Sequence, residues 1–459
     1  MPEDQQPPES SVAPEVSGGS EVPEDSAHSG ASEQAAAPGR RSFLRGALGA
    51  GVSAGVAGAA LGAAGGYAYR TSQPTPRTQL AAVDQAATGR RPAVPFHGRY
   101  QAGILPASQP ATTVVSFNAT AEDRGELTDL MRALTTRARF LTTGGPPAPV
   151  GIGAPPSDSG TLGPTVVPDG LTVTVGVGST LFDDRYGLAG RKPGKLTPMR
   201  TFPDDALDPA QCGGDLVVQL SAGHTDTVLH ALRDITRHTR GTMQISWRMD
   251  GYTSPARPSG TVPRNHFGFM DGISNPAVTN PATMNRLVWV DASTSDEPSW
   301  TAGGSYFVVR LIRMLTEFWD RVSISEQEQI IGRRRPSGYP LDANSIHATP
   351  NFALDPNGGA IPLTAHMRLA NPRTPQTGDS RILRRAYNYD RGIDSVGNLD
   401  MGLVFTCFQQ DVKRQFEAVQ TRLIGEPMVD YITPFGGGYF FALPGVTDER
   451  DHLGRALLA

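Results

Sequence analysis

Residues 112 to 117 read Thr-Thr-Val-Val-Ser-Phe (TTVVSF), a short run of β-branched and aromatic side chains. Such residues suit a pleated, half-buried surface, so the run predicts a strand. Immediately downstream the apolar period changes from two to about 3.6: Leu127, Leu130, Met131, Leu134, Ala138 and Leu141 share one helical face, with Thr120 placed to cap the helix. A Gly/Pro/Ser-rich loop from about 143 to 169 follows. LTVTVGV (171–177) and DLVVQL (215–220) then read as strands, 225–238 as a helix and MQISW (243–247) as a closing strand. The resulting order, β-α-β-β-α-β, is the ferredoxin-like arrangement.

The second half repeats this rhythm more loosely. Strands are expected at RLVWV (286–290), SYFVVRLI (305–312), GLVFTCF (402–408) and GYFFAL (438–443), with helices beginning near Met314 and Asp411. At 459 residues the chain exceeds one ordinary domain. The expected fold class is therefore α+β, two ferredoxin-like domains with antiparallel sheets, spanning 96–255 and 256–459. Between IIGRRRPSGYPLD (330–342) and MGLVFT (401–406) lies a polar, Pro/Asn/Arg-rich insertion of roughly sixty residues, long enough for a structureless connection to be suspected of carrying function.

Upstream, residues 1–39 are rich in Pro, Ser, Glu and Gly and contain no Lys or Arg, the composition of a disordered leader. Residues 40–70 open with Arg40-Arg41-Ser42-Phe43-Leu44-Arg45 and continue, from Gly46 to Tyr69, uncharged and mostly Gly and Ala. Twin arginines before a weakly apolar stretch resemble a twin-arginine (Tat) export signal. The competing reading is a retained anchor, since the stretch is long enough to span a bilayer and Gly51-x-x-x-Gly55 offers a helix-packing face. Export through the Tat translocase would place the protein in an extracellular, periplasmic or envelope-associated compartment. That route carries folded proteins, often around a cofactor. Residues 71–95 read as a linker.

The first 70 residues hold eight of the 45 acids and four of the 41 bases, so the remaining chain balances at 37 of each. A neutral body argues against nucleic acid as a partner. Cys212 and Cys407, the only thiols, are too few for a disulfide framework and too distant for a C-x-x-C metal site, and are expected to be unpaired.

Candidate chemistry concentrates in two places. In RNHFGFMDGISNPA (264–277), Asp271 lies between Gly268 and Gly272, beside Phe267, Phe269 and Met270. An Asp-Gly pair is ordinary turn sequence, yet a carboxylate set between an aromatic wall and an arginine is also a proton carrier. In TAHMRLANPR (364–373), His366 has Arg368 and Arg373 nearby, and Arg384 follows in RILRRAYNYDRG. A lone histidine is usually a core residue; with this company it becomes a candidate metal ligand, and Asp411 in FQQD a candidate partner for its ring nitrogen.

Several separated stretches together resemble one family. HGRYQAGI (97–104), GFMDG (268–272), WTAGGSYFVVRLIRM (300–314), EQEQIIGRRRPSGYPL (326–341), HMRLANPR (366–373) and GGGYFFALPG (436–445) resemble the dye-decolourising peroxidases, specifically the exported branch that includes the deferrochelatases. The resemblance implies haem b in the second domain, with His366 as the iron ligand and Asp271 and Arg384 on the open face. The remaining cofactor contacts expected are Phe269, Met270, Gly272, Arg368, Arg373 and Asp411. It implies reduction of hydrogen peroxide through a ferryl-oxo intermediate, at the expense of dyes, phenols or another small-molecule or protein electron donor, fastest in acid because the distal base is a carboxylate. Tyr387, Tyr389, Trp247, Trp289, Trp300 and Trp319 are candidates to relay electrons. Deferrochelatase activity and a non-enzymatic haem carrier are the alternatives.

Overall fold

A computed structural model describes residues 89–293 and 296–459. The leader, the twin-arginine stretch and most of the 71–95 linker lie outside the described residues.

The first half builds β1 (Ala111–Ala119), α1 (Arg124–Thr143), β2 (Thr172–Gly178), β3 (Leu216–Ala222), α2 (Thr225–His238) and β4 (Met243–Tyr252). The expected β-α-β-β-α-β order holds. Asp123, not Thr120, caps α1: its side chain accepts from Glu126 N, while Glu126 reaches back to Glu122 N, satisfying donors the first turn leaves open. Thr120 instead donates to Gly241 O. The apolar face of α1, with Leu127, Leu130, Leu134 and Ala138 all nearly inaccessible, packs with α2 on the sheet.

The second half contributes α3 (Pro281–Leu287), β5 (Ser305–Met314), a single turn at Thr316–Trp319, α4 (Ile324–Ile331), α5 (His366–Ala370), β6 (Leu383–Arg384), β7 (Tyr387–Ile393), β8 (Leu399–Gln409), α6 (Ala418–Arg422) and β9 (Ile432–Ala442). One expected strand is absent: RLVWV straddles the end of α3. Asn280 caps that helix by accepting from Thr283 N, and Pro281 stands in its first turn, two start signals that outweigh the β-branched pair downstream. The sixty-residue insertion is not structureless, since it holds α5, β6 and β7.

Both halves use the same strand order. The first runs β4-β1-β3-β2 and the second β9-β5-β8-β7, every pairing antiparallel. Two seams join them: β2 meets β9 over three residue pairs and β4 meets β7 at Tyr252–Asn388. Eight strands therefore close into a ring, with β6 hydrogen-bonded to β8 beside it. The ring is filled from both halves, by Val114, Val217, Met249, Phe307, Val309, Phe408 and Phe440 among others. Alternation along a strand sends successive side chains to opposite faces. On β5, Phe307, Val309 and Leu311 point into the ring while Arg310, Ile312 and Met314 face outward onto a cavity.

Cys212 and Cys407 are both free thiols. Among the described residues no helix is long and apolar enough to cross a membrane.

Candidate active site

The cavity on the outer face of the second half holds about 1720 Å³ of empty space, its mouth included. Its walls come from β5, β8 and β9, from α5 and α6, and from the segments 265–274 and 371–382. Asp271, His366, Arg373, Arg384, Phe269 and Met270, far apart in sequence, all line it.

The turn carrying Asp271 is built by its own backbone and by arginine. The Asn265 side chain accepts from Phe267 N and Phe269 N, and Asp271 N donates to Pro263 O. Arg264 donates to Gly268 O and to the carbonyls of Arg335 and Pro336, tying the turn to the segment after α4. Gly268 sits at φ +83°, where a side chain would be strained and where a Cβ would stand 2.7 Å from Arg335 Nε; glycine admits both the backbone conformation and the close approach. Gly272, at φ +90°, does not line the cavity and serves the turn.

Asp271 Oδ1 lies 3.2 Å from Arg384 Nη1. Arg384 is held from behind by Asn275, whose amide accepts from Arg384 N at 3.1 Å and donates to Arg384 O at 2.9 Å. In sequence, Asn275 in SNPA reads as turn chemistry only.

His366 opens the five-residue α5. Its Nδ1 lies 2.8 Å from Glu426 Oε2 and 3.0 Å from Oε1. Burial by itself disfavours the imidazolium, but the carboxylate of Glu426, only 3% exposed, outweighs it and the pKa rises. The expected partner, Asp411, is corrected here. It starts the next helical segment, accepting from Arg414 N, and pairs with Lys195 at 3.3 Å, so capping and a surface ion pair occupy it. Glu426, sixty residues beyond His366, gave no signal beyond being an acid between Gly425 and Pro427 with Met428 beside it. Arg368 also departs from expectation: it is no part of the cavity wall. Its guanidinium bonds Asp355 and the carbonyls of Asp355 and Ile361 and lies over the Phe352 ring, clamping the loop that leads into α5.

The candidate relay aromatics divide by layer. Tyr387, Tyr389, Trp247 and Trp289 belong to the cluster that fills the ring, Trp289 stacked on Tyr100, and Trp300 belongs to the other large cluster, against Phe182 and Phe441. Trp319 alone among them packs on the cavity wall, stacked 4.3 Å from Phe267 and edge-on to Phe269 and Tyr431.

A closed double ferredoxin-like sheet with a large cavity on one half, holding a carboxylate–arginine pair and a carboxylate-bound histidine, defines a class. The profile described as Dyp-type peroxidase, N-terminal matches residues 101–253 and that described as Dyp-type peroxidase, C-terminal matches 262–447; the chain belongs to this family and is a haem enzyme of the peroxidase type. Among individual proteins, it is 48% identical to the deferrochelatase of Yersinia pestis bv. Antiqua (strain Nepal516), covering 79% of this chain and 84% of that one. To the deferrochelatase of Escherichia coli O157:H7 it is 47% identical over 83% and 91%. Of solved structures, ferric DtpA from Streptomyces lividans superposes with TM-score 0.72 at 32% identity, covering 84% of this chain and all of that one. The DyP-type peroxidase from Cellulomonas bogoriensis gives 0.71 at 34%, covering 80% and 98%.

Proposed function

We propose that the chain is an exported peroxidase that holds haem b in this cavity through His366, reduces hydrogen peroxide with Asp271 and Arg384, and oxidises an external electron donor. The observation that carries the reading is the pairing at the cavity: Asp271 with Arg384, and His366 with Glu426, facing one space.

The residues present fit the group. His366 Nδ1 is engaged by Glu426, which fixes the proton there and leaves Nε2 with its lone pair for a metal. The wall is apolar where a macrocycle would lie, with Phe269, Met270, Met314, Leu403 and Phe405. It is cationic elsewhere: Arg373 Nε is buried without a hydrogen-bond partner among the described residues, and a carboxylate-bearing ligand would satisfy it.

Bound there, the iron porphyrin would supply the electrons that split the O–O bond. The protein would manage the protons. The Asp271 carboxylate takes the proton from the nearer oxygen of hydrogen peroxide and delivers it to the farther one, which leaves as water. The Arg384 guanidinium, on a backbone held by Asn275, offsets the negative charge that gathers on the departing oxygen. Glu426, accepting from Nδ1, makes the His366 ring more anionic and a stronger donor.

The expected result is a Soret band in purified protein that His366→Ala abolishes, and stopped-flow spectral changes on mixing with peroxide that collapse in Asp271→Asn or Arg384→Leu. Folded, colourless protein that takes up no haemin would overturn the reading; sluggish wild-type reaction with peroxide would favour a carrier. Deferrochelatase activity is a second reading, favoured by the names of the relatives at 47–48% identity. Its mark is metal-free protoporphyrin among the products. Export by the Tat route rests on Arg40-Arg41 and the stretch after it; Arg40→Lys with Arg41→Lys should trap the protein in the cytoplasm.

A further inference from the structure

Five arginines line the cavity: Arg310, Arg333, Arg373, Arg381 and Arg384. Two are neutralised on the spot, Arg310 by the buried Asp205 and Arg384 by Asp271. The other three have no carboxylate within ion-pair distance among the described residues. Arg333 donates to Gly338 O and Ser274 Oγ, Arg381 reaches only Ser274 O at 3.5 Å, and Arg373 Nε has no partner. Asp342 is the acid whose field reaches Arg333 and Arg373, and it pairs with neither. Burial weakens the hold of all three on their protons, Arg333 down to about 10, and neighbouring cations add to it, Arg373 and Arg384 at Arg333, Arg381 at Arg373 and Arg286 at Arg381. Arg373 moreover keeps a left-handed backbone, φ +59°, uncommon for a side chain of its size. Three cations held close together without counterions are costly unless anions enter.

The reading above supplies two of those anions, the carboxylates of haem b. One positive charge is left over. The segment that carries Arg373 and Arg381 is also the cavity's outer wall, with Thr374, Pro375 and Gln376 exposed on its far side. Arg381 keeps partial exposure, whereas Arg333 is only 7% exposed. Arg286, just outside, adds a positive field at Arg381 and is itself paired with Asp379 at 3.2 Å.

We propose, building on the haem reading, that Arg381 forms an anion subsite at the cavity mouth that recruits the electron donor, selecting donors that carry a carboxylate or sulfonate over neutral ones. The subsite binds; the electrons it brings are the two, with two protons, that reduction of one peroxide to two waters already requires. An added cation at a few ångströms, partly screened by solvent, is worth about a five- to tenfold preference for an anion, and rising salt erodes it.

The test compares the holoenzyme with Arg381→Gln and Arg381→Glu, using ABTS as a disulfonated donor, guaiacol as a neutral one and benzenesulfonate as an anion that is not oxidised. The ratio of kcat/KM for ABTS to that for guaiacol should fall about five- to tenfold in Arg381→Gln and further in Arg381→Glu, through KM. Calorimetry should show benzenesulfonate binding weakened to the same degree. Equal losses for both donors, or benzenesulfonate binding unaltered by either variant, would overturn the subsite. So would loss of haem from Arg381→Gln, which would assign Arg381 to the cofactor's own carboxylates. Wild type that binds no haem at all would instead defeat the reading beneath it.

Discussion

Replacing Glu426 by Gln keeps the shape beside His366 but removes the charge that draws on its Nδ1 proton. A lost outer partner of a metal-bound histidine typically costs about 10- to 100-fold in activity, and the reduction potential of the bound iron should rise in a redox titration; an unchanged potential would remove Glu426 from this role. Asp271→Asn should slow the reaction with peroxide by about 10²- to 10⁴-fold. Asn275→Ala should act at one remove, taking away the partner of Arg384 N and one of the two donors to Arg384 O, the other being Arg385 Nη1, at about 1–3 kcal/mol of stability read from denaturant unfolding, and slowing the peroxide step alongside. These residues differ in how legible they are. Asp271 and His366 stand in stretches that resemble a known family, and the same resemblance names Arg384 as the arginine that follows the histidine. Asn275 and Glu426 do not, because an Asn before Pro and a Glu between Gly and Pro are the common vocabulary of turns, and only the fold brings them behind their partners. Arg368 and Asp411 depart from expectation for the converse reason: Arg368 finds its counter-charge, Asp355, in its own loop, and Asp411 is taken up by a helix start and by Lys195 from the other half.

At the scale of the element, legibility follows periodicity. The helices of the first half, buried on one face over several turns, could be bounded closely; α2 falls on the expected residues. Leu130→Ala in α1, 2% exposed, should cost about 2–5 kcal/mol, measured by chemical denaturation. Where short apolar runs met capping signals, as at RLVWV, the cap prevailed. The strand β7 was hidden because YNYDRGI alternates poorly and lies within a polar insertion. The aromatic assignments now follow from the layers: Trp319→Phe should weaken a tryptophan-type radical signal seen by electron paramagnetic resonance after peroxide, and Tyr389→Phe, inside the ring, should not.

Across the whole molecule, two histidines outside the cavity titrate together with folding. Burial lowers the pKa of His230 and His266. An unfolded imidazole takes up its proton near 6.5, whereas these resist until lower pH, so the unfolded state binds more protons as pH drops below about 7 and stability is lost in that window. The melting temperature should therefore decline from pH 7 towards 5, and less so in His266→Gln; a flat profile would contradict the assignment. The acid conditions that favour a carboxylate-assisted reaction would thus be those in which the fold has less to spare. The two-domain pattern was readable because each half repeats one order of strands. Their fusion was not, because β2–β9 and β4–β7 touch over so few residues that no pattern announces them. That fusion has a consequence during synthesis. The ring shuts only when β9, which leaves the ribosome after the other eight described strands, reaches both β2 and β5. Until then the nascent first half presents β2 and β4 as bare borders, able to pair with strangers. A fragment ending near residue 255 should accordingly clump where the full-length polypeptide stays dispersed.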